Sequence, residues 1–225
     1  CDADLDPSIL RPLQRDIDAI ADTLDAWGRF LAPVRVASAA DLDRLRHLAD
    51  APTDGPLCAV ATPGLVALLE PRWWPTPPAD HQLRLVLTHE LAHALLFQRC
   101  APVGRHGAVA LPCWFREGMA MLATEGRPDS RRRMIAARQV ELATLAHADA
   151  ATIAGDAEAV YEAALTLFDA WYEHFGSRRL GTLCRAMRAG LGFDEAHHVA
   201  TGVGPRRWVD ATIASLSAHA RDDVR

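Results

Sequence analysis

His89-Glu90-Leu91-Ala92-His93 is the arrangement in this 225-residue chain best suited to chemistry. At about 100° per residue in a helix, His89 and His93 lie within about 40° of each other and one turn apart, so both imidazoles can reach one metal ion. Glu90 points obliquely from that face, where it can reach a water on the metal without being a ligand. This is the layout of metal-assisted hydrolysis: the ion acidifies a water, Glu90 accepts its proton, and a polarised carbonyl is attacked. Ten His and nine Glu are present. At that composition H-E-x-x-H arises by chance about 0.02 times per chain, so the spacing is informative.

Two histidines need a third ligand. A metzincin continuation would place Gly at 96 and His at 99; the chain has Leu96 and Arg99, which excludes that class. Downstream, Trp114-Phe115-Arg116-Glu117-Gly118-Met119-Ala120 contains Trp-x-x-Glu-Gly-x-Ala. Following H-E-x-x-H, this resembles the gluzincins, specifically the peptidase MA-like family, and is similar to the zinc aminopeptidases over the same stretch. The resemblance implies Zn²⁺ bound by His89, His93 and Glu117, with water in the fourth position and Glu90 as general base and then acid. Val160-Tyr161-Glu162-Ala163-Ala164 is similar to the aminopeptidase helix that begins Tyr-x-Lys-Gly, which implies that Tyr161 stabilises the oxyanion. Here Ala163-Ala164 replaces Lys-Gly, and a packed core tyrosine is the alternative. Phe175-Gly176, Arg179-Leu180, Gly192 to Ala196 and Ala200-Thr201-Gly202 extend the likeness, which covers most of residues 34 to 213.

The Gly-x-Met-Glu-Asn segment that anchors a free amine in the aminopeptidases is absent, so exopeptidase action is unsupported. Zincins lay a peptide against an edge strand before the metal helix; the corresponding residues here are Gly64 to Leu69. The expected function is zinc-dependent hydrolysis of peptide bonds in a peptide or protein substrate, as an endopeptidase. The rival readings are a non-catalytic zinc-bound binding domain at the cell surface and a hydrolase of cell-wall peptide amides.

The elements that must position these residues follow from periodicity. Apolar residues from Ile9 to Leu31 recur every three or four positions and predict an amphipathic helix over 7–31. Val34 to Ala37 reads as a strand, and a helix follows from Ser38 to about Ala49. Leu57 to Ala61 and Leu65 to Leu69 read as neighbouring short strands split by Pro63-Gly64. Pro71 to Asp80 reads as an irregular loop around Trp73 and Trp74, which are either exposed, lining a cleft or touching a bilayer, or packed under the loop. The metal helix runs from about His81 to Arg99. Further helices are predicted over 114–124, 131–147, 156–175, 177–189 and 194–200, with a last one from Pro205. Strands confined to the first third give an α+β fold, zincin-like, with a small N-terminal sheet, an active-site helix and a helical C-terminal half. The expected division is an anchor segment and helix over 1–33, a catalytic domain over 34–213 and a tail over 214–225.

Composition narrows the partners. Half the residues are hydrophobic, 24% are charged and the net charge is -5, an ordinary globular balance. No apolar run reaches the roughly 18 residues of a membrane span. The densest basic cluster, Arg131 to Arg133, leads into an Ala-rich, partly acidic stretch and reads as a solvated helix start, so nucleic acid is not an expected partner. The sequence opens Cys1-Asp2-Ala3-Asp4. This resembles a mature bacterial lipoprotein, which implies a lipid on Cys1 and an extracytoplasmic, membrane-anchored location; an arbitrary boundary is the alternative. In an oxidising compartment Cys100 and Cys113 bracket the loop between the two metal motifs and can staple it, worth about 3 kcal/mol; buried thiols are the other reading. His174, His197 and His198 read as core or surface histidines.

Overall fold

The computed structural model describes residues 34–37, 58–63, 65–69, 74, 76, 79–102, 110–129 and 157–222. The helices expected over 7–31, 38–49 and 131–147, together with Cys1, Trp73 and the Arg131 to Arg133 cluster, lie outside the described residues. The chain divides into two compact units, Cys1–Val109 and Ala110–Arg225.

The first unit holds a three-stranded sheet. Its strands are β1 (Val34–Ala37), β2 (Ala59–Thr62) and β3 (Leu65–Leu69), in the order β1-β3-β2. β3 pairs with β2 antiparallel, Thr62 opposite Leu65 and Ala59 opposite Leu68. It pairs with β1 in parallel, Val34 opposite Val66 and Ala37 opposite Leu69. The Gly64 to Leu69 stretch was expected to be an edge, but its strand is the centre of the sheet. Both of its hydrogen-bonding sides are occupied, which leaves no room for an added peptide. Val66, Ala67, Leu68 and Leu69 are all buried, as a central strand requires.

Helix α1 (Asp80–Cys100) packs on this sheet. The side chain of Gln82 accepts a hydrogen bond from the Ala79 N–H at 2.9 Å, satisfying one of the amides left over at the helix start. Leu83 and Leu87 pack with Ala59, Leu68, Leu69 and Trp74. Leu91 and Ala94 pack with Val66. These spacings of four and three make one stripe along the helix. Trp74 takes the packed alternative: it is 9% exposed, and its indole N–H donates to the Leu69 carbonyl at 2.7 Å. A Pro-rich loop does not expose a ring that has both a core to fill and a backbone acceptor.

Among its described residues the second unit is helical: α2 (Cys113–Glu125), α3 (Ala157–Arg188), α4 (Phe193–Thr201) and α5 (Pro205–Asp222). α3 is two helices joined at Gly176, whose φ of 72° only glycine adopts readily, so the expected break between 175 and 177 is present as a kink. Its core is aromatic. Trp114 stacks on Trp208 at 5.3 Å, and Phe115 meets Phe168, Trp171 and Phe193 edge-on at 5.1, 5.4 and 5.1 Å. The described residues thus form an α+β chain with strands only in its first third, and no described helix is long and apolar enough to cross a membrane.

Candidate metal centre

On α1 the sheet-facing stripe through Leu83, Leu87 and Leu91 occupies one side. His89 and His93 lie about 140° round the helix from it, with Glu90 between the two faces at about 60°. The histidines meet through their Nε2 atoms, 3.0 Å apart, with the rings edge to face at 4.6 Å. Two imidazole nitrogens on one tetrahedral Zn²⁺, each about 2.05 Å from it, would be about 3.3 Å apart, so the pair fits a shared ion with little adjustment. Phe97, one turn beyond His93, lies parallel to that ring at 5.8 Å and 7°. Every residue from Leu91 to Phe97 is buried, His93 included at 6% exposure.

Glu90 faces β2. The Cys58 thiol that precedes this strand is pushed up from its ordinary pKa, first by burial and then by the Glu90 carboxylate. Glu90 itself is half-buried.

In the second unit, α2 carries Glu117. Pro112 starts the helix, its carbonyl accepting from the N–H groups of Phe115 and Arg116 at 3.1 and 3.0 Å. Trp114 and Phe115, both fully buried, sink this first turn into the aromatic core. They fix the direction in which Glu117 leaves the helix. Gly118 is the point where α2 meets α3: a Cβ there would lie on the Ala164 carbonyl oxygen, 2.5 Å from Phe168 Cβ and 2.7 Å from the Ala164 carbonyl carbon. Glycine after Glu117 and alanine at 164 therefore let two backbones touch.

Glu117 is 6% exposed. Arg116 Nε donates to its Oε1 at 2.7 Å. Burial pushes the Arg116 guanidinium down, but the Glu117 carboxylate, the hydrogen bond to it, Cys113 and Tyr161 outweigh that, and the net shift is upward. The half-buried Tyr161 on α3 thus belongs to the electrostatic surroundings of the Arg116–Glu117 pair. Cys113 is pushed up to about 12 by burial and by Glu117, against Arg116. At neutral pH it is a neutral thiol, packed with Val160 and Ala163. Cys100 is buried in the first unit.

As a donor set, the two imidazoles of His89 and His93 and the carboxylate of Glu117 could hold a metal ion. His174 and His198 are exposed, and His197 is a buried core histidine. Arg116, Cys58 and Phe97 were not singled out from the sequence. Phe97 was open to discovery, four residues after His93 on a helix. Arg116 was not, because neighbours in a helix ordinarily diverge. Comparison with family models, with curated proteins and with solved structures returns no match.

Proposed function

We propose that this chain is a zinc-dependent endopeptidase of the gluzincin type, with a zincin-like fold, in which His89, His93 and Glu117 hold the ion. The observation that carries the reading is the His89 and His93 Nε2 pair at 3.0 Å, on the side of α1 turned away from its sheet. A buried carboxylate with a guanidinium counter-charge supports Glu117 as the third ligand: the Arg116 bond offsets the cost of burying its charge and fixes its rotamer. When bound there, zinc lowers the pKa of a water to about 7 and acts as a Lewis acid toward a carbonyl.

Glu90 would supply the carboxylate that accepts a proton from an attacking water at this site and passes it to the leaving amine. Its place between the ligand face and the sheet puts it next to, but not among, the ligands. The Tyr161 hydroxyl donates to the carbonyl oxygen of the scissile bond as charge develops there. A substrate strand has β2 rather than β3 to pair with, since β2 lies at an end of the sheet among the described residues and Cys58, just before it, feels Glu90.

The test is Glu90→Gln, purified alongside wild type, with zinc content measured and both proteins incubated with a mixed peptide library and with cell-wall peptides. Retained zinc with cleavage reduced at least about 10³-fold supports the reading. Wild-type cleavage by the variant refutes the mechanism. Zinc bound at one per chain by the wild-type protein, but with no cleavage of any substrate, would favour a binding domain.

A further inference from the structure

The α4–α5 corner of the second unit carries a surface feature with no part in the metal reading. A groove of about 860 Å³ opens there, and Leu191, Asp194, Val199, Arg206, Arg207 and Asp210 are among its lining residues. Leu191 is 39% exposed and Val199 57%; with Leu85 they are the exposed large hydrophobic residues among those described. Two of three therefore fall in one groove. Clustered exposed apolar residues with a charged rim mark association surfaces, whereas scattered ones do not.

The rim carries both signs. Asp194 stands in the first turn of α4, while α5 opens with Pro205, Arg206 and Arg207 and has no acid in its first turn. Two cations at a helix N-terminus oppose the helix dipole, and Pro205 already supplies a start signal, so the arginines are not there to stabilise α5. The ion pairs among the described residues, Arg116–Glu117, Arg127–Asp169 and Arg127–Glu173, include none of the rim charges.

We propose that this groove is a self-association face. Two copies of the chain pair about a two-fold axis, Leu191 and Val199 of each at the centre, and Asp194 of one copy against Arg206 and Arg207 of the other. The occupant follows from the charge pattern. A ligand or peptide of one sign would be repelled by half the rim, whereas a second copy turned through 180° brings acid to base on both sides of the apolar centre. An isologous interface requires that self-complementarity. The inference is independent of zinc, because its readout is mass.

The full 225-residue chain is sedimented from about 1 to 100 µM at low salt. The weight-average mass is expected to rise toward that of two chains and to fall back in high salt, as rim charges are screened. Val199→Asp and Leu191→Ser, both at exposed positions, should each raise the dimer dissociation constant by at least about tenfold. The charge test is sharper. Arg206→Glu/Arg207→Glu leaves only acids among the charged rim residues, and Asp194→Arg/Asp210→Arg leaves Glu195 as the one acid against four arginines; each should be monomeric alone and should form a heterodimer when mixed. Recovery on mixing also shows that both variants are folded. A wild-type chain that stays monomeric throughout the range overturns the proposal. So does a dimer that survives Val199→Asp and both charge reversals, or a mixture that fails to associate.

Discussion

Gly118→Ala should unfold the second unit more easily and displace Glu117, although in most helices the same change is favourable. The added methyl would overlap the Ala164 carbonyl oxygen and sit 2.5 Å from Phe168 Cβ and 2.7 Å from the Ala164 carbonyl carbon. Carbon atoms in packed interiors approach to about 3.5–4.0 Å, so α2 and α3 must separate by about 1 Å. Two of the three obstructing atoms belong to helix backbone and cannot rotate away. Overpacking of this kind costs about 1–3 kcal/mol, and rigid neighbours place it at the upper end. For a chain of this length about 3 kcal/mol corresponds to about 6–12 °C in Tm. Gly181 is the internal control: it lies within α3, and a Cβ there would meet only Arg185 Nη1, at an ordinary 3.5 Å. Gly181→Ala should therefore gain the helix-propensity term of about 0.5–1 kcal/mol. Thermal melts of wild type and the two variants, with zinc content measured in parallel, give the answer. Opposite signs are expected, with weakened metal retention in Gly118→Ala alone. A Gly118→Ala protein as stable as wild type would refute the close-approach argument and, with it, the account of why glycine follows Glu117.

Arg116→Gln removes the group that holds Glu117 Oε1 at 2.7 Å; zinc affinity by competition with a chromophoric chelator should fall about 10–100-fold, as for other residues that orient a ligand. Unchanged affinity would mean that the pair does not orient the ligand. His197 predicts a pH effect on stability. Its Nε2 accepts from Trp171 Nε1–H at 3.0 Å, so Nδ1 carries the proton and donates to the Val203 carbonyl at 2.8 Å. Burial lowers its pKa from the ordinary histidine value of about 6.5, against upward pulls from the Val203 bond and Asp194, while His198 adds to the lowering. A lowered folded pKa means that below about 6.5 the unfolded chain takes up a proton the folded one refuses. Stability should therefore fall as pH drops through about 6.5 toward the folded value. Urea midpoints at pH 7.5 and 5.5 check this, and His197→Gln should flatten the difference.

The metal helix was legible because its pattern is redundant. Leu91, Ala92, Leu95 and Leu96 mark apolar faces that are buried, although Leu85, apolar too, is 44% exposed, and His89 and His93 fall one turn apart by helix geometry alone. Strand order was legible only in part. Leu65 to Leu69 is apolar without alternation, the mark of a strand buried on both faces, and its central position could have been inferred from that. Which strands would flank it was not legible, because the pairing of Val34 to Ala37 with β3 joins residues far apart in the chain. Trp74 was hidden for a similar reason, since its partner is the Leu69 carbonyl, a backbone group with no sequence signature. The Arg116 to Glu117 bond turns on two side chains curling toward each other from adjacent positions.

The stretch Trp-x-x-Glu-Gly-x-Ala contains one residue with chemistry to offer. Trp114 is a core ring stacked on Trp208, Gly118 is a backbone contact with Ala164, and Ala120 is fully buried. Each is what packing α2 into the core of its own unit, against α3 and α5, demands, whatever the site does. The motif is therefore direct evidence for how α2 is seated and only indirect evidence for zinc. What turns a packing motif into a half-site is the residue that packing does not explain. Glu117 is a carboxylate brought to 6% exposure beside a guanidinium, where a leucine would cost less. A charge kept at a buried position that an apolar residue would fill at less cost is a sign of function, and it is the argument for Glu117 that does not depend on likeness to any family.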